Sequence, residues 1–247
     1  MPNKLERMLW QQVRDMVPDM VDTVVFPIGT MEAHGSACLG TDVFIPVDIA
    51  EYVCDKFNFI LAPPIWYGIT RSLLDYAGSL TVEPDNFQRY VLDVLKSLRR
   101  HKFDKVIIMN GHGGNNSVLK DCASIAFREM NLKVAVIHWW ILCADVTKSF
   151  YGQEGGHAGI DETGYVMSLD PKLADQGHYH KSLVFQYSPG VDVYPVPGTV
   201  LLYNDKGEGE PDFDPEKGKV YSEKVKEKVS ETVKYITDHW NTNLPTK

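Results

Sequence analysis

Four short apolar runs do most to limit the folds open to this chain: TVVFPI at 23–28, FILAPP at 59–64, KVIIMN at 105–110 and KVAVIH at 133–138. The third and fourth are nearly continuous in apolar residues, the pattern of strands covered on both faces. Between them, 47–57, 84–101 and 116–130 carry apolar residues at helical spacing. In 84–101, Phe87, Val91, Leu95 and Leu98 share one stripe, and Pro84 stands where a first helical turn tolerates it. Val225, Val229, Val233 and Ile236 form a similar stripe on a last long helix. Strands alternating with helices at this spacing predict an α/β fold built on a largely parallel sheet with helices on both faces. The segment 184–219 is rich in Pro, Gly and Asp and reads as a long loop region with room for one hairpin. Its composition is not that of a linker, so residues 1–247 are expected to form one domain.

Charge and composition exclude several functions. A formal net charge of −8 argues against nucleic acid as the main partner, because phosphates select basic faces. No run of about 18 apolar residues is present, so no membrane span is expected. The opening MPNKLERMLWQQVRD lacks the apolar core of a signal peptide. Cys38, Cys54, Cys122 and Cys143 are scattered without a C-x-x-C pair, which fits free thiols in a reducing cytoplasm.

In an open α/β sheet, ligands collect just beyond the carboxyl ends of strands. TVVFPIG runs there into Glu32 and His34, with Asp42 following through an LGTD turn. KVIIMNG runs into HGGNN, placing His112 two residues past a predicted strand end between glycines that let the backbone approach a ligand closely. GGHAGIDETG at 155–164 supplies His157, Asp161 and Glu162 ahead of a helical pattern through Ser168. An E-x-H pair in a loop is common by itself. A lone strand-end histidine is more often a hydrogen-bonded rim residue, and DET before a helix serves as a capping pattern. Convergence outweighs these separate readings: three glycine-rich segments each deliver metal-type ligands, and nothing in core packing asks for that. Imidazoles with carboxylates are the ligand set of Zn, Mn or Fe in hydrolytic sites. Glu32, His34, Asp42, His112 and Glu162 are too many for one zinc with an open position. They suit two divalent ions about 3.5–4 Å apart, bridged by one carboxylate, with Asp42 the candidate bridge.

Taken together, PIGTMEAHG…LGTD, MNGHGGNN and GGHAGIDET resemble the creatininase family of metal-dependent amidohydrolases. Tyr67-Gly68, GSLTVEP at 78–84 and PEKG at 215–218 fit the same order, so the resemblance spans most of the chain. It implies a three-layer αβα sandwich, a binuclear metal centre, a small-molecule substrate and a homo-oligomer, often a hexamer. Carried over by position, Glu32 and His112 would hold one metal and His34 the other, with Asp42 between them. Creatininase itself places a glutamate two residues after the NGH histidine. Here that position is Gly114, and Glu162 is the substitute ligand. His157 matches the family histidine that shuttles a proton, and Trp140 an aromatic of the substrate pocket. Ala37, Ile160 and YAGS at 76–79 depart from the family pattern beside the pocket and set the substrate apart from creatinine.

The implied reaction is attack by a hydroxide held between two metals on the carbonyl of an amide, with His157 protonating the leaving group. Polar loops around Tyr67, Arg71 and Trp140 are expected to orient the substrate. Hydrolysis of a cyclic ketone or diketone at a C–C bond, deformylation of a formamide, and a catalytically silent metal-binding homologue are the alternatives. A silent homologue has no use for His157 beside intact ligands.

Overall fold

A computed structural model gives the fold and describes residues 3–187, 191, 193, 201–204 and 206–242. Five parallel strands form the main sheet: β1 (Asn3–Lys4), β2 (Thr23–Ile28), β3 (Ile60–Leu61), β4 (Lys105–Asn110) and β5 (Lys133–His138), in the order β1-β3-β2-β4-β5. β2 pairs with β4 from Thr23↔Lys105 to Ile28↔Asn110, and β4 with β5 from Lys105↔Lys133 to Asn110↔His138. Three carboxyl ends therefore line up at Ile28, Asn110 and His138.

Period-two alternation divides the strand side chains between two cores. Val24, Phe26, Ile28, Val106 and Ile108 face the layer that holds α1 (Trp10–Met16), α3 (Pro84–Arg100) and α4 (Asn116–Met130), where Phe87, Val91, Leu95 and Leu119 are buried against them. Val25, Ile107 and Met109 face the other layer, made by α2 (Thr41–Phe57), α5 (Trp139–Leu142), α6 (Ala144–Tyr151), α7 (Ile160–Leu169) and α8 (Pro215–Thr242). Burying one such aliphatic side chain contributes about 1.5–3 kcal/mol relative to exposure. Because both faces need covering, the central strands read as unbroken apolar runs, and the fold is a three-layer αβα sandwich.

Three expectations need correction. β3 pairs over Ile60–Leu61 alone, since Pro63 and Pro64 have no N–H to offer a ladder. α2 begins at Thr41, not at 47, and so takes in Asp42, which the sequence placed in a turn. The segment 184–219 forms no hairpin among the described residues: β6 (Val184–Tyr187) and β7 (Leu201–Asn204) pair in parallel. Most of the chain between them lies outside the described residues. Leu201 packs by Gly35 and joins Ala158 and Tyr203 in a small separate core, so this pair covers the two segments that carry His34 and His157. Among the described residues no helix is long and apolar enough to cross a membrane. All four cysteines are free.

Candidate metal centre

Each candidate ligand leaves the scaffold within a few residues of a strand end or in the first turn of a helix. Glu32 and His34 follow β2, and His112 follows β4. Asp42 and Glu162 stand in the first turns of α2 and α7, where the helix dipole favours an anion. α2 reaches this position through an unusual seat. Pro46 lies inside the helix and has no N–H to bond the carbonyl of Asp42. That carbonyl rests instead on the two glycines that end the neighbouring strands: a Cβ at Gly29 would lie 2.1 Å from it, and one at Gly111 2.0 Å. Any side chain at either position would lift the helix start off the sheet.

The result is a buried cluster centred on Asp42. Its Oδ1 lies 2.9 Å from His34 Nε2 and its Oδ2 2.8 Å from His112 Nδ1. Glu162 Oε2 is 3.6 Å from His34 Nε2, and Glu32 Oε2 is 3.5 Å from His112 Nδ1. Two ligand groups share the aspartate: Glu32–Asp42–His112 and His34–Asp42–Glu162, the donor atoms of each lying within 4.8 Å of one another. Backbone carbonyls fix the tautomers. His34 Nδ1 donates to Glu32 O at 2.9 Å, and His112 Nε2 to Ile69 O at 2.9 Å. Each ring therefore turns its second nitrogen to an Asp42 oxygen, an acceptor, so that a proton or a metal ion must lie between them. His34 Nε2 and Asp42 Oδ2 are buried with no hydrogen-bond partner. Acceptors facing acceptors in a dry pocket need cations between them, and an imidazole tethered through its second nitrogen is the usual arrangement of a metal ligand. The donor set fits two divalent ions.

His157 sits against the cluster. Its Nε2 donates to Ala33 O at 2.9 Å, its Nδ1 faces Glu32 Oε2 at 3.8 Å, and its ring centroid is 4.3 Å from that of His34. Ser79 Oγ accepts from Ala33 N at 3.0 Å, so Ala33, between two candidate ligands, is gripped from both sides. Ser79 belongs to the YAGS departure, and its hydroxyl ties that segment to the centre.

Electrostatics without ions is strained. Burial opposes charge on His112, but Glu32 and Asp42 outweigh it and raise it to about 9. His34 is likewise held well above the ordinary range: burial pulls it down, and Asp42, Glu162 and Glu32 prevail. Burial pushes Glu162 up to about 8, against the pull of His34. Asp42 is held low by both imidazoles despite its burial. Burial, then the neighbouring His34, pushes His157 down to about 3, so it is neutral at physiological pH. Protons thus occupy the cluster where cations would otherwise sit.

A cavity of about 830 Å³ opens onto the cluster, lined by Glu32, Asp42, His112, His157 and Glu162 at its base. Trp140 and Arg71 line it as expected from sequence; Tyr67 does not, and is 55% exposed. Further residues brace the site. Asn115 is buried, accepts from Ile69 N at 3.0 Å and donates to Gly29 O at 3.2 Å, tying the 69 loop to the end of β2. Asp161 Oδ1 accepts from Gly156 N at 3.1 Å and braces the turn that carries His157. A Cβ at Gly114 would lie 2.0 Å from Ile69 O and 2.5 Å from His112 Nε2, so the contact that orients His112 requires glycine there. A repeated glycine beside a candidate ligand was the available signal for that requirement.

An αβα sandwich with two imidazoles and three carboxylates gathered beyond its central strands defines a metal-dependent hydrolase of the amidohydrolase kind. The chain belongs to the creatininase family, whose model, described as creatinine amidohydrolase, matches residues 6–233. It is similar to the creatinine amidohydrolase of Pseudomonas putida, 24% identical over 208 residues that cover 76% of this chain and 79% of that protein. It is also similar to the 3-dehydro-scyllo-inosose hydrolase of Thermotoga maritima, 28% identical over 183 residues, or 69% of this chain and 57% of that protein. Its fold matches a solved zinc–zinc form of a creatininase mutant at a TM-score of 0.80 and 22% identity, covering 94% of this chain and 97% of the other.

Proposed function

We propose that this protein hydrolyses an amide bond, linear or cyclic, in a small polar metabolite. Glu32 and His112 would hold one divalent ion and His34 and Glu162 a second, zinc foremost, with Asp42 shared between them. The observation that carries this reading is the pair of Asp42 oxygens, 2.9 and 2.8 Å from two imidazole nitrogens whose opposite nitrogens are already spent on carbonyls. Divalent ions in such a site supply Lewis acidity toward a carbonyl and ease the loss of a proton from water.

The chain's own groups do the rest. His157, tethered through Nε2, turns Nδ1 toward Glu32 at the cluster, the atom that would take a proton there and return it to the leaving nitrogen. Trp140 offers an indole face to the substrate body at the cavity wall. Glu32, Asp42 and His112 at the base of the cavity are more than nine-tenths buried, where charge interactions with a bound carbonyl would be strongest. The Pseudomonas relative, named for an amide substrate, supports C–N cleavage; the Thermotoga relative, named for an inosose, supports a second reading in which a cyclic ketone is cut. We place the protein in the cytoplasm as a single-domain homo-oligomer, hexameric by family resemblance.

Elemental analysis of protein purified without added metal tests the centre. About two equivalents per chain, lost on Asp42→Ala, support it; less than about half an equivalent with no uptake overturns it. Turnover of lactams, formamides and cyclic diketones then separates the bond classes, and rates equal to metal-free controls in all three would remove the enzymatic reading.

A further inference from the structure

The side chains lining the cavity are charged in a lopsided way. Five are carboxylates, and each is engaged. Glu32, Asp42 and Glu162 belong to the imidazole cluster, Asp161 accepts from Gly156 N, and Glu154 pairs with Lys206 at 2.9 Å. The lining also includes one guanidinium, Arg71, which has no hydrogen-bond or ion-pair partner among the described residues. Arg71 is exposed at the cavity wall and is the single Lys or Arg among the described residues that line it.

The two residues before it are held firmly. Two residues earlier, Ile69 accepts from His112 Nε2 at 2.9 Å and donates to Asn115 Oδ1 at 3.0 Å. Thr70 then donates its hydroxyl toward Glu32 and its N–H to Thr81 Oγ1 at 3.0 Å. Arg71 thus springs from a segment locked to both a candidate ligand histidine and a candidate ligand carboxylate. A rigid base, a free planar fork and a partly apolar wall at Leu73, Val118 and Ile141 form a subsite for a planar anion carried on a short apolar spacer.

We propose that Arg71 is a specificity-determining residue that selects substrates bearing a carboxylate remote from the scissile amide, so that the substrate class is an N-acyl amino acid or an equivalent lactam acid. This rests on the amide-hydrolase reading. A carboxylate is favoured over a phosphate ester because one guanidinium with no second cation on the cavity wall matches a single negative charge.

The test uses the metal-loaded protein and N-formyl derivatives of glycine, β-alanine and γ-aminobutyrate, each as free acid and primary carboxamide, with the phosphate ester of N-formylethanolamine as the dianion control. The N-methanesulfonyl analogues, which have no scissile amide, are measured by calorimetry alone. The expected result is a roughly tenfold or greater preference for acid over carboxamide at one spacer length, in kcat/KM and in binding of the sulfonyl pair alike. Arg71→Gln should bring that preference to about one with metal content unchanged, and Arg71→Lys should keep only part of it, since an ammonium cannot make the paired bonds. Raising salt should shrink the preference in the wild type alone. If the acids show no advantage, if the phosphate ester is preferred, if Arg71→Gln retains the full advantage, or if no member binds, the proposal is overturned. Because the sulfonyl analogues report binding without cleavage, an acid preference there with no turnover of any formamide would remove the hydrolase reading and leave the subsite standing.

Discussion

At the amino ends of β2 and β4, the buried Lys105 reaches Asp22 Oδ2 at 2.7 Å, while Thr23 Oγ1 bonds Asp22 Oδ1 at 2.8 Å. The Asp22 carbonyl meanwhile accepts from the backbone of Asp104 and Lys105. Every charge there has a partner of opposite sign, and Asp22 remains a third exposed. At the carboxyl ends of the same two strands, three buried carboxylates converge on two imidazoles, and only protons or metal ions taken up from solvent make up the charge balance. One pair of strands therefore carries a balanced ion pair at one end and an anionic excess at the other. A balanced buried pair serves the fold. An unbalanced one persists only if something outside the chain completes it.

That contrast is open to test. The largest effect is expected at the carboxyl end, where His157→Ala should lower turnover by roughly 10²–10⁴-fold while elemental analysis shows the same metal content. Full activity in that variant would show that the imidazole only braces Ala33. Next comes the exchange of protons for metal. His112 is raised to about 9 and Glu162 to about 8 in the folded, metal-free chain. Both folded values lie above the unfolded ones, so the stability they contribute is present at low pH and lost as pH rises through them. The metal-free protein should therefore unfold at lower urea as pH climbs from about 6.5 to 9, and metal should flatten the trend. Metal uptake at neutral pH should release protons, read by calorimetry in buffers of different ionisation heat, with affinity rising about tenfold per pH unit for each proton displaced. Uptake without proton release would contradict the cluster's charge state.

Smaller effects probe the frame. Gly111→Ala forces a Cβ against the Asp42 carbonyl and should cost about 1–3 kcal/mol in urea unfolding while also weakening metal retention. Retention at the wild-type level would separate the seat of α2 from the centre. At the opposite end, Lys105→Met should cost about 1–2 kcal/mol and leave both metal content and turnover alone. A change in turnover there would erase the division of labour between the two ends.

Much of this was legible in the chain because the strongest signals are periodic. β2, β4 and β5 fall on the apolar runs read for them, and α3 and α4 on their stripes, because both faces of the sheet are covered. The ligand residues stood out as metal-type side chains in glycine-rich strand ends. What escaped depends on contacts between distant segments. The start of α2 was hidden because Pro46 reads as a breaker, and its lost hydrogen bond becomes harmless only when Gly29 and Gly111 are beneath it. Asn115 looks like one more polar loop residue until Ile69 and Gly29 are brought to it. Tyr67 shares its loop with Arg71, yet exposed and buried positions in an irregular loop follow no period. The parallel pairing of β6 and β7 depends on a connection that composition alone cannot orient.

The helix carbonyl resting on two bare Cα atoms has a further consequence. One carboxylate sends an oxygen to each of two imidazoles, His34 and His112, so its height above them is gauged by the thickness of the layer beneath α2. Ile45 and Ile49 are wedged in that layer, fully buried, and touch none of the candidate ligands' roles. A bulkier or slimmer residue there would shim the helix and recalibrate both contacts at once, with every ligand kept. Preference for a larger or smaller ion is then adjustable from the hydrophobic interior, where an alignment of ligand residues would show no change at all.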